Sequence, residues 1–151
     1  MKFNIKLILL GGVVYYLAQW VVGALTGIFI HEGVLKPAYQ ATAGFWRPEL
    51  MQDPPDMAGL MPYWITTGLI SAFVGAFIFD NVRAALSGNG WVKGLKFGFL
   101  MSLIYAAFIA GWSGIFNLPS NIWLWWGLEG FAFYLFSGAV LGWFAGRFAP
   151  E

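Results

Sequence analysis

Charge is almost missing from four long stretches of this chain, and that pattern constrains its fold more than any other feature. Leu7–Ile30, Met61–Phe79 and Phe97–Phe116 carry no charged residue, and Ile122–Gly146 carries only Glu129. A helix crossing the hydrocarbon core needs ~20 apolar residues at a rise of ~1.5 Å each, and every one of these stretches is long enough. None alternates polar and apolar residues with period two, which disfavours a transmembrane barrel. Backbone amides in lipid must find their partners within the segment, so the stretches are expected to be helices. Hydrophobic residues make up 60% of the 151 residues and charged residues 10%, against ~25% charged in an ordinary soluble domain. The expectation is an all-α polytopic membrane protein: one domain, a four-helix antiparallel bundle with spans at about 7–30, 61–79, 97–116 and 122–146, and a long first loop, 31–60.

Local signals mark the boundaries. Pro62 suits the first turn of the second span, where its missing N–H costs nothing. Asp80 and Asn81 should end that span, and Ser87-Gly88-Asn89-Gly90 reads as a turn. Asn117-Leu118-Pro119-Ser120-Asn121 is short enough to force the third and fourth spans into a hairpin. Lys2 and Lys6 precede the first run, as in a signal peptide. The run is too long for a signal h-region and lacks a convincing A-x-A site, so it reads as an uncleaved first span.

Basic residues fall unevenly. Lys2, Lys6, Arg83, Lys93, Lys96 and Arg147 share one side, and only Lys36 and Arg47 lie on the other. The positive-inside rule then places both termini in the cytoplasm and the 31–60 loop outside. Tryptophan is lopsided too. Trp64, Trp112, Trp123, Trp125 and Trp126 fall near the outer interface and Trp46 in the outer loop, while Trp91 and Trp143 fall near the inner one. Within the outer loop, Pro37 and Pro48 bracket the space for a short interfacial helix, and Asp53-Pro54-Pro55-Asp56 should be stiff. The loop reads as a connector packed over the bundle or as a docking surface or lid.

Helices associate in lipid through close packing at small residues. Gly138, Gly142 and Gly146 recur every fourth residue on the fourth span, Gly68, Ala72 and Gly75 lie on the second, Gly23 and Gly27 on the first, and Gly94 and Gly98 open the third. This predicts a tight helix contact, within the chain or with another chain.

Glu129 is the most informative residue. Ionisable side chains within a span are costly and face protein or a water-filled cavity. At 100° per residue it lies opposite Gly138, so the fourth helix should be in contact on two sides. Its own face offers Trp125, Ala132 and Phe136 but no second charge. A partner must come from the His31-Glu32 end of the first span, from Trp112 or Ser113 of the third, or from another chain. His31 is the only histidine and reads first as a surface or capping residue. It makes no metal-ligand spacing with the scattered carboxylates, but a polar cluster of His31, Glu32 and Glu129 in the outer half is open. Asp80 and Arg83, three apart, should form a local pair.

Several classes are excluded. The chain has no cysteine, hence no disulfide, thiolate nucleophile or iron–sulfur cluster. A formal net charge of +1 does not suit nucleic acid, which needs clustered Lys and Arg. No phosphate loop, catalytic triad, dinucleotide fingerprint or HExxH occurs, and nothing calls for a cofactor.

The basic start, Leu9-Leu10-Gly11-Gly12-Val13-Val14-Tyr15-Tyr16 opening the first span, Asp53-Pro54-Pro55 in the loop and Gly94-Leu95-Lys96-Phe97-Gly98 entering the third span resemble small four-span membrane proteins of bacteria to which no activity is assigned. The resemblance implies a fold and a place in the bacterial inner membrane, and no residue roles. The tryptophan-rich sensory proteins are similar in size and aromatic content but have five spans. Small multidrug transporters have a membrane Glu, but in the first span.

Two functional expectations follow. The first is a non-catalytic accessory or scaffold subunit of a larger membrane complex, in contact with lipids and with other membrane subunits. The second is a binder or transporter of a small apolar or amphiphilic molecule, such as a lipid, quinone or pigment, in an outer-leaflet pocket formed by Glu129, Trp125, Trp112, His31 and Glu32. An enzyme is the third reading.

Overall fold

The computed structural model of the protein describes residues 3–149. Among these residues there is no strand. Helix α1 runs over Leu7–Val34, α2 over Lys36–Ala41, α3 over Met57–Val82, α4 over Gly90–Ser113 and α5 over Ser120–Phe148. The four long helices are each long and apolar enough to cross a membrane.

Their ends depart from the expected 7–30, 61–79 and 97–116, in part because side-chain caps set the starts of α3 and α4. Asp56 accepts a hydrogen bond from the Gly59 N–H at 3.0 Å, so α3 starts at Met57, before Met61. Asp80 does not end it, because its carboxylate is buried against the Arg83 guanidinium at 2.9 Å. Asn89 caps Val92 N–H, so α4 starts at Gly90 and takes in Lys93 and Lys96. It stops at Ser113, ahead of Phe116. Helix α1 continues past Ile30 to Val34 by changing its winding: Gly12–Thr26 is α-helical, while Leu7–Gly11 and Gly27–Val34 are π-helical. The wider winding closes with the Leu35 N–H bonding Ile30 O at 2.8 Å. Single π turns are rare in helices and concentrate at functional sites. His31 therefore sits within a helix, not in the loop.

Helices α4 and α5 touch backbone to backbone. A Cβ added at Gly94 would strike the Gly138 carbonyl oxygen and one at Gly98 the Tyr134 carbonyl, while one at Gly138 would lie 2.9 Å from Gly98 Cα. Gly142 and Gly146 continue this seam against Gly90. The stripe foreseen on α5 is thus filled from within the chain. The α1–α3 contact is built differently, from rings laid on glycines: Phe73 on Gly12, Tyr16 on Gly68 and Tyr15 on Gly75. Ala72 is fully buried in that layer. Helix α5 meets α1 along Leu141 and Phe144 near Gly11, and Phe133 near Gly23.

Two apolar cores result. One, at the end where α1 begins and α5 stops, holds Leu7, Tyr15, Ala72, Ala76, Phe79, Phe97, Leu141 and Ala145. There Asn4 N–H bonds Asp80 Oδ2 at 3.2 Å, and Arg83, just past α3, donates from Nη1 to Ala149 O at 2.6 Å. The other, at the loop end, holds Ile30, Leu35, Ile109, Leu118, Ile122 and Trp123. Between them α3 and α4 part. Phe79 and Phe97 join them at the terminal end, 5.2 Å between centroids, and a cleft opens beyond.

Candidate functional site

The cleft has a volume of about 620 Å³. Its α3 side is formed by Trp64, Thr67, Ser71 and the outward-facing Ile70, Val74 and Ile78, and its floor by Tyr15 and Gln19 of α1, Met101 and Tyr105 of α4, and Glu129, Phe133 and Tyr134 of α5. The mouth sets Ile70, Val74 and Ile78 beside the exposed hydroxyls of Thr67 and Ser71, and the depth holds Tyr15, Gln19 and Glu129. Tyr15 is only 2% exposed, and its hydroxyl makes no hydrogen bond, although Ser137 and Gln19 lie beside it. Ser137 instead donates to the Phe133 carbonyl at 2.6 Å.

Glu129 forms the end of the floor nearest the loop. Both carboxylate oxygens meet His31 Nε2, at 3.0 and 3.1 Å, across the α1–α5 contact. On the far side of the ring, His31 Nδ1 is 2.7 Å from the Tyr39 hydroxyl, which also accepts the indole N–H of Trp126 at 2.9 Å. One set of protons satisfies every bond in this chain: Trp126 donates to Tyr39, Tyr39 to Nδ1, and Nε2–H to the carboxylate.

Helix α2 supplies Tyr39 because Pro37 starts it in the first turn, where a missing N–H is harmless. Tyr39 stacks on His31 with centroids 5.8 Å apart, and Trp46 packs on Tyr39 and on Trp126. Trp46 is fixed in turn by a bond from its indole to Thr42 Oγ1 at 2.9 Å. These rings roof the His31–Glu129 pair. Under them the Tyr39 hydroxyl is pushed up to about 12, chiefly by burial, with the Glu129 charge adding to the rise and the Trp126 bond opposing it.

Of the five residues expected near a pocket, His31 and Glu129 come together. Glu32 turns away to an exposed ion pair with Lys36 at 3.6 Å. Trp125 packs edge-on against Phe29, outside the cleft. Trp112 is 47% exposed on α4 and does not line it either. The cleft's tryptophan is Trp64. Sequence reasoning did not single out Tyr39, Tyr15, Tyr105 or Tyr134 as site residues. Among the described residues, no group of three or more His, Asp or Glu side chains converges as a metal site. No protein-family model matches the chain, and no curated protein or solved structure matches it either.

Proposed function

We propose that this chain crosses the bacterial inner membrane four times, as an antiparallel bundle with both termini in the cytoplasm, and takes up a small amphiphilic molecule from the bilayer into the α3–α4 cleft. The observation that carries this reading is a cavity, open along the exposed flank of α3, with a polar floor. Glu129 and the unpartnered Tyr15 hydroxyl lie deep in it, and Ile70, Val74 and Ile78 stand at its mouth beside Ser71. A ligand with a polar head and an alkyl tail satisfies both ends of such a site. The skew of Lys and Arg supports the orientation.

The accessory-subunit reading has less to stand on. Its main surface feature was the glycine stripe of α5, and α4 occupies that stripe. The remaining exposed apolar side chains, such as Leu25, Ile28, Phe108 and Leu124, are what a lipid-facing surface carries.

Photolabelling in nanodiscs tests the proposal. A long-chain alcohol bearing a photoreactive tail should mark peptides containing Trp64, Ser71 and Met101 above those containing Phe108 or Leu124. Ser71→Trp, which fills the mouth at an exposed position, should cut cleft labelling severalfold without lowering the melting temperature. Labelling spread evenly over all apolar faces would refute the cleft as a ligand site.

A further inference from the structure

The cleft's lining is chemically one-sided. It contains one carboxylate, that of Glu129, and no Lys, Arg or His. His31 meets that carboxylate from outside the cleft's lining, at 3.0 Å, with its other ring nitrogen held by Tyr39. The other titratable groups packed around Glu129 are the phenols of Tyr39, Tyr105 and Tyr134, which bring no positive charge. Lys36, at the start of α2, is engaged by Glu32 at the surface. The Glu129 carboxyl group therefore faces a cavity whose lining holds no cationic side chain, and a cationic guest is what such a site favours.

Much of the remaining lining is aromatic: Tyr15, Trp64, Tyr105, Phe133 and Tyr134 share it with Gln19 and Met101. Ring faces attract cations, most strongly where water is excluded. They give nothing comparable to an anion, and no cationic side chain lines the cleft to hold a phosphate or carboxylate. Building on the cleft as a ligand site, we propose that its ligand is a monovalent cationic amphiphile, an alkyl amine or quaternary ammonium compound without an attached phosphate. Its charged head rests against Glu129 among the tyrosine rings. Its tail leaves past Ile70, Val74 and Ile78.

Three photoreactive probes with the same alkyl tail test this: a trimethylammonium, an alcohol and a carboxylate, each titrated against the full-length protein in nanodiscs. The ammonium probe should label the cleft at about tenfold lower concentration than the alcohol, and the carboxylate should label it least. Glu129→Gln keeps an acceptor for His31 Nε2–H and removes the charge. It should bring the ammonium probe down to the level of the alcohol while the alcohol's own labelling, which reports an intact cleft, stays unchanged.

The failures are distinguishable. Equal labelling by all three heads in the wild-type protein overturns the cationic assignment and leaves the cleft standing as a site. An ammonium preference that survives Glu129→Gln overturns Glu129 as the anchor. No cleft labelling by any probe overturns the binding function itself. Running the series in bilayers with choline and with glycerol headgroups separates a free amine from a bilayer lipid. Labelling lost only in the choline bilayer would show that the lipid headgroup holds the site, and would overturn the assignment to a free amine.

Discussion

Tyr39 shows how much rests on a single hydroxyl at the residue scale. It is the one atom joining Trp126 to His31, and through His31 the roof to Glu129. Tyr39→Phe keeps the ring stack and removes the oxygen, leaving the Trp126 indole N–H and His31 Nδ1 without partners. Each buried polar group so stranded costs ~1–3 kcal/mol, and partial exposure of His31 puts the loss at the low end of that range. Denaturant unfolding in detergent should register it. The same residue predicts an alkaline limit. Folding raises its pKa from 10 to about 12, so the unfolded chain loses this proton first. Its contribution to stability is fully present below pH 10 and is lost as pH rises through about 12. Tyr39→Phe should flatten the stability curve across that window, and an unchanged slope would mean that the phenol is not buried as described. Glu129 could be read from the sequence because a charge within an apolar run is conspicuous. Tyr39 could not, because its approach depends on a π-helical turn at Gly27–Val34 that no residue type announces.

Among the helices, the two glycine-lined contacts are not equivalent. Gly94→Ala would drive a methyl group into the Gly138 carbonyl, where neither side can yield except by moving a helix. Such overpacking typically costs ~1–3 kcal/mol or more. Gly111→Ala, on the same helix with nothing within 4 Å of the new methyl, should be neutral or stabilise by up to ~1 kcal/mol through helix propensity. Thermal melts of the two variants should therefore shift in opposite directions or only for Gly94. Equal shifts would show that the seam is not the contact described. Four-residue glycine spacing made this seam legible in advance, because it marks one helix face. Which helix would fill it was not legible, since Gly94 and Gly98 on α4 and Gly68 on α3 offer similar signals. Helix ends were misjudged wherever a charge was taken as a stop. Lys93 lies inside α4 and Asp80 inside α3, because a cap or a buried ion pair decides the matter.

For the whole molecule, four apolar helices were plain from charge alone, since hydrocarbon tolerates so few arrangements of backbone. The cleft was not, because it is a gap between α3 and α4, and a gap has no sequence signature of its own. The proposed orientation has a direct check. A reporter fused after Glu151 should be active only on the cytoplasmic side, and one inserted between Asp53 and Asp56 only on the outer side. Signals from the opposite compartments would invert the topology and place the cleft's Glu129 end in the inner leaflet.

The close seam between α4 and α5 also governs how the cleft can change its width. Where two backbones touch through glycine Cα–H groups and carbonyl oxygens, no side-chain torsion lies between them to absorb a displacement, and weak Cα–H···O bonds add to the grip. The α1–α3 layer is cushioned instead by Phe73, Tyr16 and Tyr15, whose rings can swing about their own bonds. The two sides of the cleft thus differ in compliance. The α4–α5 side is the stiffer jaw, and the α3 side is the one expected to yield if a guest enters.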